Sequence, residues 1–268
     1  MNNTISFMSA NYVARELDYN MTEGWMQGVK ATEDYFQPID TYEARFEAML
    51  VEISSLGFDA IDIWLSHLHW AWATIEHVAI ARDLLEKHEM SVNSLAGGFG
   101  QTADDVRMSC RIANALGTDV LGGNTPLLQT DRDQLVAILQ KTGVKLGIEN
   151  HPEKNPDEVL AKIGDGADGF IGVAIDTGWF GTQGYDAAKA TRELRDHIVH
   201  MHMKDVRAAG GHETCRFGEG VVPLAETVAA LKEIGYTGPL CVEHEPEHHN
   251  PNEDCRVSLG MLQGWLVS

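Results

Sequence analysis

KLGIEN (145–150), GVAIDTGW (172–179), IVHMHMKD (198–205) and PLCVEHE (239–245) are the segments that decide how this chain folds. Each runs or alternates apolar for about five residues before a polar side chain, as a buried parallel strand does where it opens into a pocket. The polar residues so delivered are Glu149, Asp176, His202 and Glu243. Steps of 27 and 26 residues separate the first three, one βα repeat each. The last step, of 41 residues, needs one repeat plus an insertion, and the Gly-rich run from Ala208 to Gly220 supplies it. Taken singly, a carboxylate just after a strand is an ordinary helix N-cap or a solvated loop residue. Four such residues at the ends of successive strands point instead to a metal site. Three carboxylates and one imidazole suit a borderline-hard divalent ion, Mn²⁺, Co²⁺ or Mg²⁺, better than a thiolate-loving one.

Outward from this stretch the same rhythm continues. Strand readings at Thr4 to Ala10, FDAIDIWL from Phe58, SVNSLAG from Ser91 and TDVLGGN from Thr118 precede the four above, and helical patterns separate them. Eight strands and eight helices in strict alternation predict a parallel sheet that closes, an α/β fold of the single (β/α)8 TIM barrel type. Residues 1–268 read as one domain, with the active site at the carboxyl rim. The segment from Asn11 to Pro38 reads as a long connection, and Tyr12, Trp25, Tyr35 and Phe36 suit it to a lid or binding wall. Asp40 or Thr41 reads as the N-cap of the helix that Gly57 ends.

Composition narrows the partners. With 40 acidic and 20 basic residues the formal charge is −20, which opposes binding to nucleic acid and to anionic membranes. Cys110, Cys215, Cys241 and Cys255 are widely spaced with no CxxC pair, a pattern of reduced thiols in a cytosolic enzyme. The opening MNNTISFMSANY lacks a basic and a sustained apolar region, and no apolar run approaches the roughly 20 residues of a membrane span. A cytoplasmic location is expected.

A divalent ion at the four residues leaves open positions for two adjacent oxygens, which a keto or hydroxy sugar offers. Polarising the carbonyl acidifies the neighbouring C–H, and a rim carboxylate can remove that proton. The enediolate then reprotonates on the other face (epimerisation), at the adjoining carbon (isomerisation), or expels a β leaving group (elimination). Glu149 and Glu243 are the expected base and acid. His200, His202 and Lys204 alternate with apolar residues and share one face. On that face His200 is either core or substrate contact, and Lys204 either stabilises the enediolate oxygen or pairs with Asp205 or a neighbouring rim carboxylate. His151 is a proton shuttle or a loop cap. Trp64 and His67, from IWLSHLHWAW, form a sugar wall or pack as core. Glu213 and Arg216, in GGHETCRFGEG, are loop positions suited to substrate contact. EHEPEHHNPNED reads as a solvated turn, with a His-rich surface metal site as the alternative.

The pieces GIENH, AIDTG, HMHMKD and GEGVVPLAETVAALKEIGYTGPLCVEHE together resemble the xylose-isomerase-like TIM-barrel superfamily, of the sugar phosphate isomerase/epimerase type. That resemblance implies Glu149, Asp176, His202 and Glu243 as metal ligands, with the two glutamates handling protons. It implies Mn²⁺ as the first ion, with Co²⁺ or Mg²⁺ substituting, and a homo-oligomer, dimer or tetramer, or a hetero-complex. The chain departs from D-tagatose 3-epimerase-like members at three places. Trp179 stands where they have a substrate-contacting histidine, Asn155 where they have an acid, and their Cys-Asn-Arg-Gly run is missing. HxKD resembles inosose dehydratase-like members, and HETC with EHEP is similar to enzymes that cleave 3-keto glycosides by β-elimination. The AP endonuclease branch carries more histidine ligands and a basic surface, which the charge here opposes. The expected function is a metal-dependent isomerase or epimerase of a keto sugar or cyclitol. A β-eliminating lyase and a non-catalytic sugar-binding or partner subunit are the alternatives.

Overall fold

The structure is a computed structural model that describes residues 3–268. Ten strands run in chain order: β1 (Ile5–Met8), β2 (Ala60–Trp64), β3 (Ser91–Gly98), β4 (Val120–Asn124), β5 (Lys145–Glu149), β6 (Ile171–Asp176), β7 (Ile198–Met203), β8 (Asp205–Val206), β9 (Thr214–Cys215) and β10 (Leu240–Val242). Eight of them close into a parallel barrel in the order β1-β10-β7-β6-β5-β4-β3-β2, while β8 and β9 form a separate antiparallel ladder. The helices are α1 (Trp25–Phe36), α2 (Ile39–Ser55), α3 (Ile75–Lys87), α4 (Ala103–Ala115), α5 (Leu127–Thr130), α6 (Arg132–Thr142), α7 (Pro156–Ile163), α8 (Thr177–Thr182), α9 (Ala187–Glu193), α10 (Leu224–Glu233) and α11 (Asn252–Val267). The closed (β/α)8 barrel expected from alternation is the fold observed.

Local chemistry starts and stops these elements. Thr74 with His77 and Thr102 with Asp105 form reciprocal capping boxes at α3 and α4. Asn155 caps α7 by accepting from the Glu158 N–H, with Pro156 in the first turn. Gly143, at φ 71°, ends α6 in the left-handed region. Every residue of β6 is buried, which is why that strand reads as an unbroken apolar run up to Asp176.

The structure departs from the expected elements in four places. The segment from Asn11 to Pro38 is not one long loop, because α1 occupies its second half. Its buried stripe is Gly28, Thr32 and Phe36, so only one large apolar residue marks the face. Helix α2 starts at Ile39 with Pro38 in the cap position, ahead of Asp40 and Thr41. The last barrel strand ends at Val242, three residues short of Glu245. The insertion from Ala208 to Gly220 folds back so that its β9 pairs with β8, Asp205 opposite Cys215.

All four cysteines are buried and free. Among the described residues no helix is long and apolar enough to cross a membrane.

Candidate metal centre and active site

Four neighbouring strands of the closed sheet, β5, β6, β7 and β10, bring the candidate ligands together. His202 lies opposite Asp176 on one side and Cys241 on the other, and Glu149 lies opposite Ala174 on β5 and β6. The imidazole of His202 points inward, fully buried. Glu149 Oε1 and Glu243 Oε2 both approach its Nδ1, each at 3.4 Å. Ligand atoms of Glu149, His202 and Glu243 all lie within 4.8 Å of one another.

Asp176 is placed differently. Its Oδ1 accepts from the Gly178 and Trp179 N–H groups at 2.7 and 3.2 Å, capping α8. Its Oδ2 lies 3.0 Å from Lys204 Nζ. The same ammonium stands 3.1 Å from Glu243 Oε1 and 2.9 Å from Glu245 Oε2. Lys204 thus pairs with the rim carboxylates Asp176, Glu243 and Glu245, one of the two pairings open from sequence, whereas Asp205, the other, accepts backbone N–H groups instead. Asn150, which the sequence reading passed over, pins the rim: its side chain accepts from the Asp176 N–H at 2.7 Å and donates to the Asp176 carbonyl at 3.0 Å.

The electrostatics follow from crowding acids into a dry rim. Burial pushes the Glu243 carboxyl well above the usual carboxylate range, and Glu245 and Asp176 add to the push against Lys204 and His202. Burial alone would lower Lys204, but Asp176, Glu243, Glu245 and Glu149 hold its ammonium charged well above the ordinary lysine value. Burial likewise disfavours a charged His202, yet Glu243, Glu149 and Asp62 lift it to about 10. Both rings and carboxylates here favour extra positive charge. His202 Nδ1 and Glu243 Oε2 are also buried with no hydrogen-bond partner, which is rare for polar atoms unless a ligand completes them. A convergent N/O donor set that is acid-rich and unsatisfied fits a divalent cation. The atoms gathered for it come from Glu149, His202 and Glu243, with Asp176 beside them on Lys204.

Beneath this layer lies Asp62, also unread in the sequence, although a lone carboxylate among Ala60, Ile61, Ile63 and Trp64 is a visible signal. It accepts from Ser6 Oγ at 2.6 Å and Ser94 Oγ at 2.8 Å, and His200 Nε2 closes on its Oδ2. His202 Nε2 lies 3.9 Å from the same oxygen. Of the two roles open to His200, the structure places it in the barrel interior, fully buried on Asp62.

Trp64 and His67 sit on the β1–β2 side. Trp64 packs 5.4 Å from Trp25 and 5.7 Å from His67, and His67 Nδ1 lies 3.1 Å from Ser9 Oγ. Burial, with Arg15 adding to it, drives His67 down to about 3, so the ring is neutral. His151 and Trp179 come together in a stack that the sequence did not suggest: His151 lies 3.8 Å from Trp179 on one face, and His212 lies 3.5 Å away on the other. Thr182 Oγ1 holds His212 Nδ1 at 2.8 Å. Burial and the Lys204 charge lower His212 to about 4. Glu213 and Arg216 do not converge with these groups. Glu213 is exposed 3.7 Å from Arg207, and Arg216 pairs with Glu219 on the outer side of the ladder.

A family profile described as "Xylose isomerase-like TIM barrel" matches residues 50–265. The chain belongs to the xylose isomerase-like TIM barrel family. The matched span includes all four candidate ligands together with Asp62 and Lys204. An uncharacterised protein of Methanocaldococcus jannaschii, MJ1311, is 28% identical over 120 residues, 42% of this chain and 41% of that one. The L-ribulose-5-phosphate 3-epimerase UlaE of Escherichia coli is 34% identical over 70 residues, 26% of this chain and 23% of that one. The chain thus matches less than half the length of these curated relatives. The barrel is also similar to the solved structure of an L-ribulose 3-epimerase, with a TM-score of 0.71 at 14% identity over 100% of this chain and 95% of that one.

Proposed function

We propose that this member of the xylose isomerase-like family is a divalent-metal-dependent epimerase or isomerase of a keto sugar or cyclitol. The observation that carries the reading is the convergence of Glu149 and Glu243 on His202 Nδ1, each at 3.4 Å, with the buried Lys204 ammonium 3.1 Å from Glu243. Two carboxyl groups flanking one small space suit the removal of a proton from one side of a carbon and its return from another.

The two groups differ in environment. Glu149 keeps 23% of its side chain exposed at the end of β5, where a substrate can reach it. Glu243 is buried, with Lys204 Nζ 3.1 Å from its Oε1. Glu149 removes the proton α to the carbonyl, and Glu243 returns one to the enediolate carbon. Lys204 fixes Asp176, Glu243 and Glu245 and sets positive charge beside the developing oxyanion. The stacked His151, Trp179 and His212 rings supply an apolar face for the sugar's C–H groups, with His151 placed to relay protons to solvent.

Glu149, His202 and Glu243, with Asp176 adjacent, would hold the ion, Mn²⁺ first and Co²⁺ or Mg²⁺ as substitutes. When bound, such an ion supplies Lewis-acid polarisation of a carbonyl. The similarity to a 3-epimerase over 70 residues supports the same reaction class.

The test is proton exchange. Ketoses incubated in D₂O with protein loaded with Mn²⁺ should gain deuterium at one carbon, and Glu149→Gln and Glu243→Gln should each abolish it. Release of an aglycone from 3-keto glycosides without exchange would establish elimination instead. No exchange and no release, with sugar still bound, would leave a binding protein.

A further inference from the structure

The turn after β10 carries histidines that the barrel-mouth chemistry does not use. His244 is buried, with Nδ1 3.0 Å from Thr214 Oγ1 in β9 and Nε2 3.2 Å from Asp254 Oδ2 in the first turn of α11. His249, on the exposed part of the turn, brings its own Nε2 to the same oxygen, also at 3.2 Å. Donor atoms of the three residues lie within 4.8 Å of one another. The other carboxylate oxygen, Asp254 Oδ1, faces Arg216 Nη1 at 3.8 Å, and that guanidinium is already taken up by Glu219.

The two 3.2 Å separations from Asp254 Oδ2 are close to an edge of a coordination polyhedron. With metal–ligand bonds of about 2.0–2.2 Å in a tetrahedral site, neighbouring ligand atoms stand about 3.3–3.6 Å apart. The geometry points to a second divalent-cation site, separate from the barrel mouth, built from His244 Nε2, His249 Nε2 and Asp254 Oδ2 and suited to zinc. Two imidazoles and one carboxylate make a borderline donor set, richer in nitrogen than the cluster of Glu149, His202 and Glu243, and so selective for Zn²⁺ over Mg²⁺. Thr214 Oγ1 takes a bond at Nδ1 of His244 and also accepts the Glu245 N–H at 3.1 Å. A partner on one ring nitrogen aims the other at an ion, as an outer-shell group does in established sites. Solvent fills the fourth position, since His249 keeps 54% of its side chain exposed. An ion here ties three pieces together: the turn that carries Glu243 and Glu245, the β8–β9 ladder, and α11.

Metal counting tests it. Metal-free full-length protein is equilibrated with Zn²⁺, freed of excess ion, and its zinc measured for the wild type, His249→Ala and Glu149→Gln. His249 is exposed, so its variant should keep the wild-type circular dichroism. The expected result is one zinc fewer in His249→Ala than in the wild type, with the Glu149→Gln protein retaining that ion. Co²⁺ in its place should give a tetrahedral visible absorption band that His249→Ala lacks. Equal zinc in the wild type and His249→Ala, with no change in the cobalt band, overturns the site and shows the two imidazoles to be hydrogen-bonded to Asp254 only. Deuterium exchange on ketoses is read separately, so the zinc count stands whether or not the catalytic reading does.

Discussion

Lys204 Nζ stands within 3.1 Å of three carboxylates, Asp176, Glu243 and Glu245, in a pocket that excludes water. Removing one partner from such a group leaves the others buried and uncompensated, a loss of about 3–5 kcal/mol. Lys204→Met should therefore lower the unfolding free energy by that order when urea titrations are run with a chelator present. A change below about 1 kcal/mol would show that solvent, not Lys204, balances those acids. The neighbouring Gly178 gives a second handle. A Cβ there would sit 2.7 Å from Lys204 Cγ and 2.8 Å from its Cδ. Gly178→Ala should displace the lysine stem, cost about 1–3 kcal/mol of overpacking, and cut turnover without substituting any candidate ligand; unaltered stability and kinetics would contradict the packing described. At this scale the sequence was informative about faces and silent about depth. The alternation in IVHMHMKD put His200, His202 and Lys204 on one side of β7, as observed. It could not show that His200 faces the core carboxylate Asp62, because that partner lies 138 residues away on β2.

The segment from β8 through Val222 depends on one buried side chain. Asp205 accepts from the N–H groups of Val206, Gly218, Gly220 and Val222 at 2.9 to 3.1 Å, which ties the stretch after β9 back to β8, and the same segment carries His212 to the stack on Trp179. Four donors on one carboxylate are charge-assisted bonds, and orphaning them costs roughly 1–3 kcal/mol per buried donor left unmet. Asp205→Ala should thus loosen the loop, seen as protease cleavage between Arg207 and Glu219 and a lowered melting temperature. Asp205→Asn, with one carbonyl oxygen, should fall between. Resistance of the alanine variant to proteolysis would mean the loop is held by its own strands. Elements themselves were mostly legible, because each barrel strand ends an apolar run and each major helix opens on a Thr, Asn or Asp cap or a proline. Helix α1 was not, since its buried stripe of Gly28, Thr32 and Phe36 holds one large apolar residue and Gly24 at its start offers no side-chain cap. The ladder of β8 and β9 escaped for another reason: its strands are two residues each, too short for any alternation.

Over the whole molecule, a formal charge of −20 and an acid-lined mouth coexist with histidines that are kept neutral by burial, and the two respond oppositely to pH. His67 decides the direction near neutrality. Its native value of about 3 lies below the 6.5 of an exposed histidine, with burial the main cause and Arg15 the second. Between those values the unfolded chain binds a proton that the native chain does not, so stability falls as pH drops through 6.5 and continues falling toward 3. The slope from this one group approaches about 1.4 kcal/mol per pH unit once the unfolded state is protonated. Wild type and His67→Gln, the latter able to keep a bond to Ser9, should be compared by urea denaturation at about pH 7.5 and about pH 5.5, where linkage makes the difference measurable. Between those two conditions the wild type should lose about 1 kcal/mol more than the variant, because only the wild type carries the suppressed titration. Parallel losses in both would place the acid sensitivity elsewhere, on groups that the variant retains. The outcome also bears on the mouth, since His67 packs against Trp64 and Phe36, and a charged ring there would push apart the apolar wall that α1 closes over β2.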